Sequence, residues 1–504
     1  MGNGVRDSPP NASALVEALR GLGYSVPAAV ADIVDNAISA GAATVDIDFV
    51  WAGKRSFLVI RDDGFGMDDE ELQQAMRLGA RNPIAVRAPT DLGRFGLGLK
   101  TASFSHCRRL TVASRKRGEL SCLRWDLDEL AKSDRGDWPL LEGPSEESQE
   151  LLDGLGDRTT GTLVIWEVLD RIVTEGYSSN DFSDMVDRVG AHLAMVFHRI
   201  LEGSRLKLFL NKRPVPPWDP FLSGHAAKPW ESPPAPRRTP EGIVTVHCHV
   251  LPHRDKLTHD EYRRAEGPGG WTMQQGFYVY RNRRLLLAGG WLGLGNPKAW
   301  NREEAFRLAR ISIELPNSAD AAWKIDVRKS IARVPIALRP WLGKLAIDTR
   351  ERARRVFAYR GTPSTPNEAN PIVSTWRAEH GSGGVKYAID RRHPAVAAVL
   401  ERSGAEGDLV LAMLRIIEET VPVQRIWLDT TEAKELPRTS FSDEAPEQIA
   451  AVARILFRDM TTRQGLEETI AKRILLTTEP FQKFPHIVDV LNNETHKTGG
   501  DRNE

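Results

Sequence analysis

The chain is poor in cysteine. Its 504 residues hold three, Cys107, Cys122 and Cys248, too scattered for a disulfide framework and without metal-binding spacing. That scarcity excludes the small stapled domains of secreted proteins and fits a reducing compartment. An excess of either charge is also missing, since Lys+Arg and Asp+Glu both number 68. The molecule as a whole is therefore not a strongly basic nucleic-acid binder, although a local basic patch stays open. No apolar run approaches the roughly 20 residues of a membrane span, so no membrane partner is expected. The opening MGNGVRDSPPNAS has no apolar segment of the secretory kind. These absences predict a cytoplasmic protein. There is no internal repeat, and 41% hydrophobic with 27% charged residues is ordinary globular composition. The length suits about two to four domains.

The most informative stretch is Ala28 to Gly41. It reads as a helix stopped by Gly41, because glycine is favoured just past a helix end. Asp32, Asp35, Asn36 and Ser39 fall on one stripe at helical spacing. Almost everything else is Ala, Val or Ile, so the helix is predicted to be buried with its stripe lining something polar. A carboxylate and an amide one turn apart can hold a hydrated metal ion and position a water. Taken alone, the stretch is equally a core helix with a few satisfied polar residues.

Strands are predicted over 44–50 and 56–61. The second runs into Asp62-Asp63-Gly64-Phe65-Gly66-Met67. Glycines at a strand end let the backbone turn tightly and approach a ligand, and an acidic residue there can accept from an amino group. By itself an Asp-Gly turn is commonplace. A helix from Asp68 and an aperiodic, charged loop follow. The loop ends in Gly93-Arg94-Phe95-Gly96-Leu97-Gly98-Leu99-Lys100-Thr101, glycines before a helix start with a lysine in its first turn. Such a turn favours an anion, yet it is neither a P-loop nor a dinucleotide fingerprint. Further strands are expected at 109–114, 120–127 and 159–166. A polar insert spans about 134–157, and a closing helix about 181–201.

Four pieces now stand in order: DIVDNAISAGA, DDGFGM, GRFGLGLKTAS and GTLVIW. Together they resemble the nucleotide-binding motifs of the GHKL superfamily (gyrase, the large heat-shock chaperone, histidine kinases, MutL), above all in its MORC-type and bacterial chaperone-like branches. The resemblance implies an α/β fold: a GHKL (Bergerat) ATP-binding sandwich over 1–202. It implies ATP and Mg²⁺ as cofactors, with Asn36 holding the metal and Asp62, Gly64, Gly66, Met67 and Thr162 on the adenine side. Gly96, Leu97, Gly98, Leu99 and Lys100 fall on the phosphate side, and 79–95 would be a lid. Asp35 and Asp63 stand beside matched positions and receive no chemistry. One departure stands out. The family's general base is usually Glu, four residues before the Asn, whereas here it is Asp32. Its reach is one methylene shorter, and misplacement by about 1 Å costs roughly 100-fold in rate, so slow hydrolysis is expected.

A ribosomal-protein-like α/β transducer domain is expected over 203–358. Gly276-Phe-Tyr-Val-Tyr-Arg-Asn-Arg-Arg resembles its "G-x-x-V-Y-x-N-x-R" strand, with Arg281, Arg283 and Arg284 read as a solvated or nucleotide-adjacent turn ahead of a DNA site, both staying open. Lys329 matches the lysine that reaches the γ-phosphate, with Lys324 as the alternative. His247, His249 and His253 read as surface histidines at a strand end rather than a metal set. The helix over 338–357 carries Arg350, Arg352, Arg354 and Arg355, which read as a solvated charge run or a place for DNA. A linker (359–394), a mostly helical region (395–490) with Ile449, Val452, Leu456 and Met460 on one face, and a disordered tail (491–504) complete the expectation. The resemblance implies an ATP hydrolase closing as a homodimeric clamp, in a DNA-linked process such as restriction or phage defence with partner proteins. Alternatives are a chaperone acting on protein clients, or an ATP-bound interaction module with little hydrolysis.

Overall fold

The computed structural model describes residues 11–21, 23–79, 98–132, 138–156, 158–326, 332–358, 373–381, 384–422 and 447–492. The chain forms two compact units, Met1–Ala358 and Tyr359–Glu504.

The first unit holds two sheets. The larger has eight strands, β1 (Thr44–Val50), β2 (Phe57–Asp62), β3 (Arg109–Lys116), β4 (Glu119–Asp126), β5 (Leu141–Glu142), β6 (Gly161–Glu167), β7 (Lys207–Leu210) and β8 (Arg213–Pro214), ordered β5-β4-β3-β6-β2-β1-β7-β8. One face is covered by helices α1 (Ala12–Arg20), α2 (Val26–Ser39), α3 (Asp69–Met76), α4 (Gly98–Phe104), α5 (Leu127–Lys132) and α6 (Ser179–Val196). α2 is the centre of this layer. Ser25 caps its N-terminus, Pro27 sits in its first turn, and Gly41 follows its end at φ +70°. Ala29, Val30, Ala31, Ile33, Val34 and Ala37 are all buried, so the expectation of a helix enclosed nearly all round holds.

Two local departures have physical causes. The insert expected as polar contains a 3₁₀ helix, Glu146–Leu155, whose Leu152 and Leu155 pack on Val59, Ala113, Leu163 and Ile165, covering part of the sheet's other face. The closing helix breaks at buried Phe197, which separates α6 from α7 (His198–Glu202).

The second sheet contains β9 (Trp230–Glu231), β10 (Ala235–Thr239), β11 (Gly242–Val250), β12 (Gly276–Arg281), β13 (Arg284–Ala288) and β14 (Ala309–Leu315), in the order β10-β11-β14-β12-β13 with β9 on β11. α8 (His259–Glu266) and α9 (Arg339–Ala358) accompany it. The arginines of α9 are not uniformly solvated. Arg350 is buried, with its guanidinium 3.7 Å from the ring centre of Phe306 and 4.7 Å from those of Trp291 and Trp300. Arg352 lies 4.6 Å over Trp230. His249 is likewise buried, 4.4 Å from the Phe221 ring, and not at the surface.

In the second unit, part of the stretch expected as linker forms a hairpin, β15 (Trp376–Gly381) with β16 (Gly384–Ile389). Helices α10 (Pro394–Arg402), α11 (Gly407–Glu419), α12 (Glu447–Arg458), α13 (Glu468–Leu476) and α14 (Pro485–Asp489) follow. Ile449, Leu456 and Met460 are buried with Ala453 and Phe457, but Val452 is 45% exposed and faces away from that core. Among the described residues no helix is long and apolar enough to cross a membrane.

Candidate functional site

The stripe of α2 divides by depth. Asp32 and Asp35 are buried, while Asn36, four residues after Asp32, is exposed. A carboxylate at the bottom and an amide at the mouth therefore share one helix face. The start of α4 closes in from the side: a Cβ placed on Gly98 would lie 3.9 Å from Asp32 Oδ2. The Tyr24 hydroxyl donates to Asp32 Oδ2 at 3.1 Å. Its pKa is driven far up by burial and by the Asp32 charge, so it remains a donor.

Asp35 is held from the other sheet. Arg284 at the start of β13 donates from Nε to its two carboxylate oxygens at 3.2 and 3.1 Å, with a second nitrogen 3.0 Å from Oδ2. The same guanidinium lies 3.8 Å from Asp32 Oδ1. All three side chains are buried, so this arginine compensates the carboxylates that α2 takes out of water. Arg281 is also buried and paired with Asp320, so these two arginines are not solvated. Arg283, on the exposed turn, donates to the Arg199 carbonyl.

The end of β2 builds the opposite wall. Asp62, Thr162 and Ser114 stand opposite one another across β2, β6 and β3. Asp62 Oδ1 accepts from the Gly64 N–H at 2.8 Å, and burial raises its carboxyl pKa to about 6. Ser114 Oγ lies 3.0 Å from Thr162 Oγ1 and accepts from the Met67 N–H at 2.8 Å, which ties the turn to the sheet. At Gly66, φ is +69° and a Cβ would stand 2.0 Å from the Arg115 carbonyl oxygen. Neither the conformation nor the space admits a side chain. Asp63 is structural: its Oδ1 accepts from the N–H groups of Ala43 and Thr44 at 2.7 and 2.8 Å.

Lys100 is buried, and its ammonium donates to the Ala75 carbonyl at 2.7 Å, at the end of α3. Leu99 is partly buried against the helical core. Gly96, Leu97, Lys329 and most of 79–95 lie outside the described residues. Lys324, the alternative to Lys329, is exposed in a turn at φ +46°. Tyr24, Ser114 and Arg284 join the site without having been assigned to it from sequence. Arg284 alone carried a signal, as the last residue of the N-x-R pattern.

A carboxylate–amide pair on a buried helix and a glycine turn with a buried acceptor thus line one region of an α/β sandwich. Residues 24–162 match the family described as histidine kinase-, DNA gyrase B- and HSP90-like ATPase, so this part of the chain is similar to the ATPase domains of the GHKL family. ATPase morc-1 of Caenorhabditis elegans is 31% identical over 191 residues, 32% of this chain and 22% of that protein. DNA mismatch repair protein MutL is 37% identical over 91 residues in Rhodospirillum rubrum, covering 18% of this chain and 14% of the relative. MutL of Salmonella heidelberg is 40% identical over 90 residues, with shares of 17% and 14%. The chain thus spans less than a quarter of the length of these relatives.

Proposed function

We propose that the chain is a slow, Mg²⁺-dependent ATPase working as a nucleotide-operated dimeric clamp in a DNA-linked process. The observation carrying this reading is the pairing on α2 of buried Asp32 with exposed Asn36, beside the start of α4. The donor set fits the expected groups. An exposed amide oxygen suits a hard cation that keeps most of its waters. The Gly64–Gly66 turn, which a Cβ would fill, suits a close-packed ring edge. When bound, Mg²⁺ would neutralise phosphate charge. Asn36 holds it, Asp62 and Thr162 recognise the adenine edge, and Gly98 with Leu99 borders the phosphates. Asp32 takes a proton from the attacking water, while Tyr24 and Arg284 fix its carboxylate in place. Lys329 senses the γ-phosphate from the second domain, the transducer. The DNA link rests on likeness to a mismatch repair protein, and a defence role and partner proteins are the finer part of the same proposal.

One observation favours a second reading. Asp32 is short and already engaged by Tyr24 and Arg284, which suits an interaction module that binds ATP and scarcely turns it over. Single-turnover hydrolysis with bound-nucleotide measurement separates the two. Asp32→Asn is expected to bind ATP normally and to lose about 100-fold or more in rate. Asn36→Ala is expected to lose Mg²⁺-dependent binding. Stimulation by DNA that fades steeply with salt supports the clamp on DNA. Bound ATP with no turnover above background selects the module, and turnover unchanged in Asp32→Asn removes Asp32 from the role of base.

A further inference from the structure

α7 and the loop after it present a set of side chains that the nucleotide site does not use. His198 opens α7 and Glu202 ends it, so the two share one helix face. Asp219 joins them from the following loop, its carboxylate fixed by the N–H groups of Phe221 at 2.9 Å and Ser223 at 2.6 Å. One ligand-type atom from each of the three lies within 4.8 Å of the others. The decisive atom is His198 Nδ1. The residue is 1% exposed, and this nitrogen is buried with no hydrogen-bond partner. It faces Glu202 Oε1 at 3.5 Å, too far for a good hydrogen bond. Its other nitrogen, Nε2, is 2.9 Å from the Tyr280 hydroxyl. An imidazole fixed through one nitrogen, with the other turned toward a carboxylate, is the usual arrangement of a metal-binding histidine. The two arginines beside the cluster are committed elsewhere: Arg199 stacks 3.5 Å over the Tyr280 ring and pairs with Glu314, and Arg283 donates to the Arg199 carbonyl. A cavity of about 160 Å³ borders all three residues and leaves room for water ligands.

We propose that His198, Glu202 and Asp219 form a binding site for a first-row divalent transition cation, Zn²⁺ before others. One imidazole and two carboxylates suit that class, whereas Mg²⁺ takes oxygen ligands alone. The site is separate from the nucleotide site and does not depend on that assignment. Through Tyr280, which lies on β12, the cation joins α7 to the second sheet. In sequence the signal was His-x-x-x-Glu on a helix.

The test uses the full chain, stripped with a chelator and free of nucleotide and Mg²⁺, titrated with ZnCl₂ against a chromophoric chelator. One Zn²⁺ per chain is expected, with a higher melting temperature as saturation is approached. Glu202→Gln, half-exposed and outside the core, should weaken binding ~10-fold or more while folding normally. Asp219→Asn should do the same. Loading with Co²⁺ should give visible absorption bands that Glu202→Gln alters. Asn36→Ala should bind Zn²⁺ as the wild type does. Substoichiometric binding, Glu202→Gln with unchanged affinity, or loss of binding on replacing Cys107, Cys122 and Cys248 by serine would each overturn the proposal.

Discussion

In Asp62 the proposed function works against stability within one side chain. Burial lifts its carboxyl pKa to about 6, above the ordinary value of 3.8 that it regains on unfolding. The native state thus binds its proton more tightly than the unfolded chain does. Stability from this group is full below about pH 4 and declines as pH rises to about 6, by roughly 1–3 kcal/mol. Asp62→Asn keeps an oxygen for the Gly64 N–H and removes that penalty. In urea titrations it should be more stable than wild type near pH 7, with the gain vanishing below about pH 4, and its affinity for ATP should fall about tenfold or more. Arg284 makes the opposite case, with stabilisation and positioning in the same group. Arg284→Met takes the guanidinium away from buried Asp35 and should cost about 3–5 kcal/mol. Adding Asp35→Leu should restore a substantial part of that in denaturant melts. Asp32, Asn36 and Asp62 could be picked out of the sequence because one helix or one turn holds each motif. The pairing of Arg284 with Asp35 spans 249 positions, and no local pattern contains both partners.

At the level of elements, the glycine turn after β2 is a rigid fitting. Gly66→Ala meets both an unfavourable φ and the Arg115 carbonyl. It should lose roughly 2–4 kcal/mol in urea unfolding and bind nucleotide poorly. Elements with strong periodicity were legible, α2 and the strands of the first sheet above all. The break at Phe197 was not, because the apolar pattern continues through it and tertiary packing decides where the helix turns. The hairpin 376–389 hid in a glycine- and serine-rich stretch, where composition suggested a linker. Val452 fits the apolar period of its helix, yet it is exposed. Periodicity marks a face without showing how wide the core beneath it is.

On the scale of the whole molecule, both sheets fall within a single compact unit ending at Ala358. A chain ended there should melt in one cooperative transition and bind ATP with unchanged affinity, as read by calorimetry. Loss of the second unit should leave the nucleotide site alone, because none of the site's described residues lies beyond Ala358. The division into a sandwich and a following sheet was foreseeable from motif order. The electrostatic join between them was not.

The Arg284–Asp35 contact lies out of reach of dissolved ions. Counterions at ordinary ionic strength weaken exposed attractions over about 8–10 Å and barely reach a pair shut away from water. Contacts with a polyanion on the outside obey the opposite rule and loosen as salt is added. Raising the salt should therefore strip away any acceleration by nucleic acid while basal turnover persists. The carboxylate proposed as base would then be set by a contact insulated from the medium, and only coupling to an outside partner would be exposed to it.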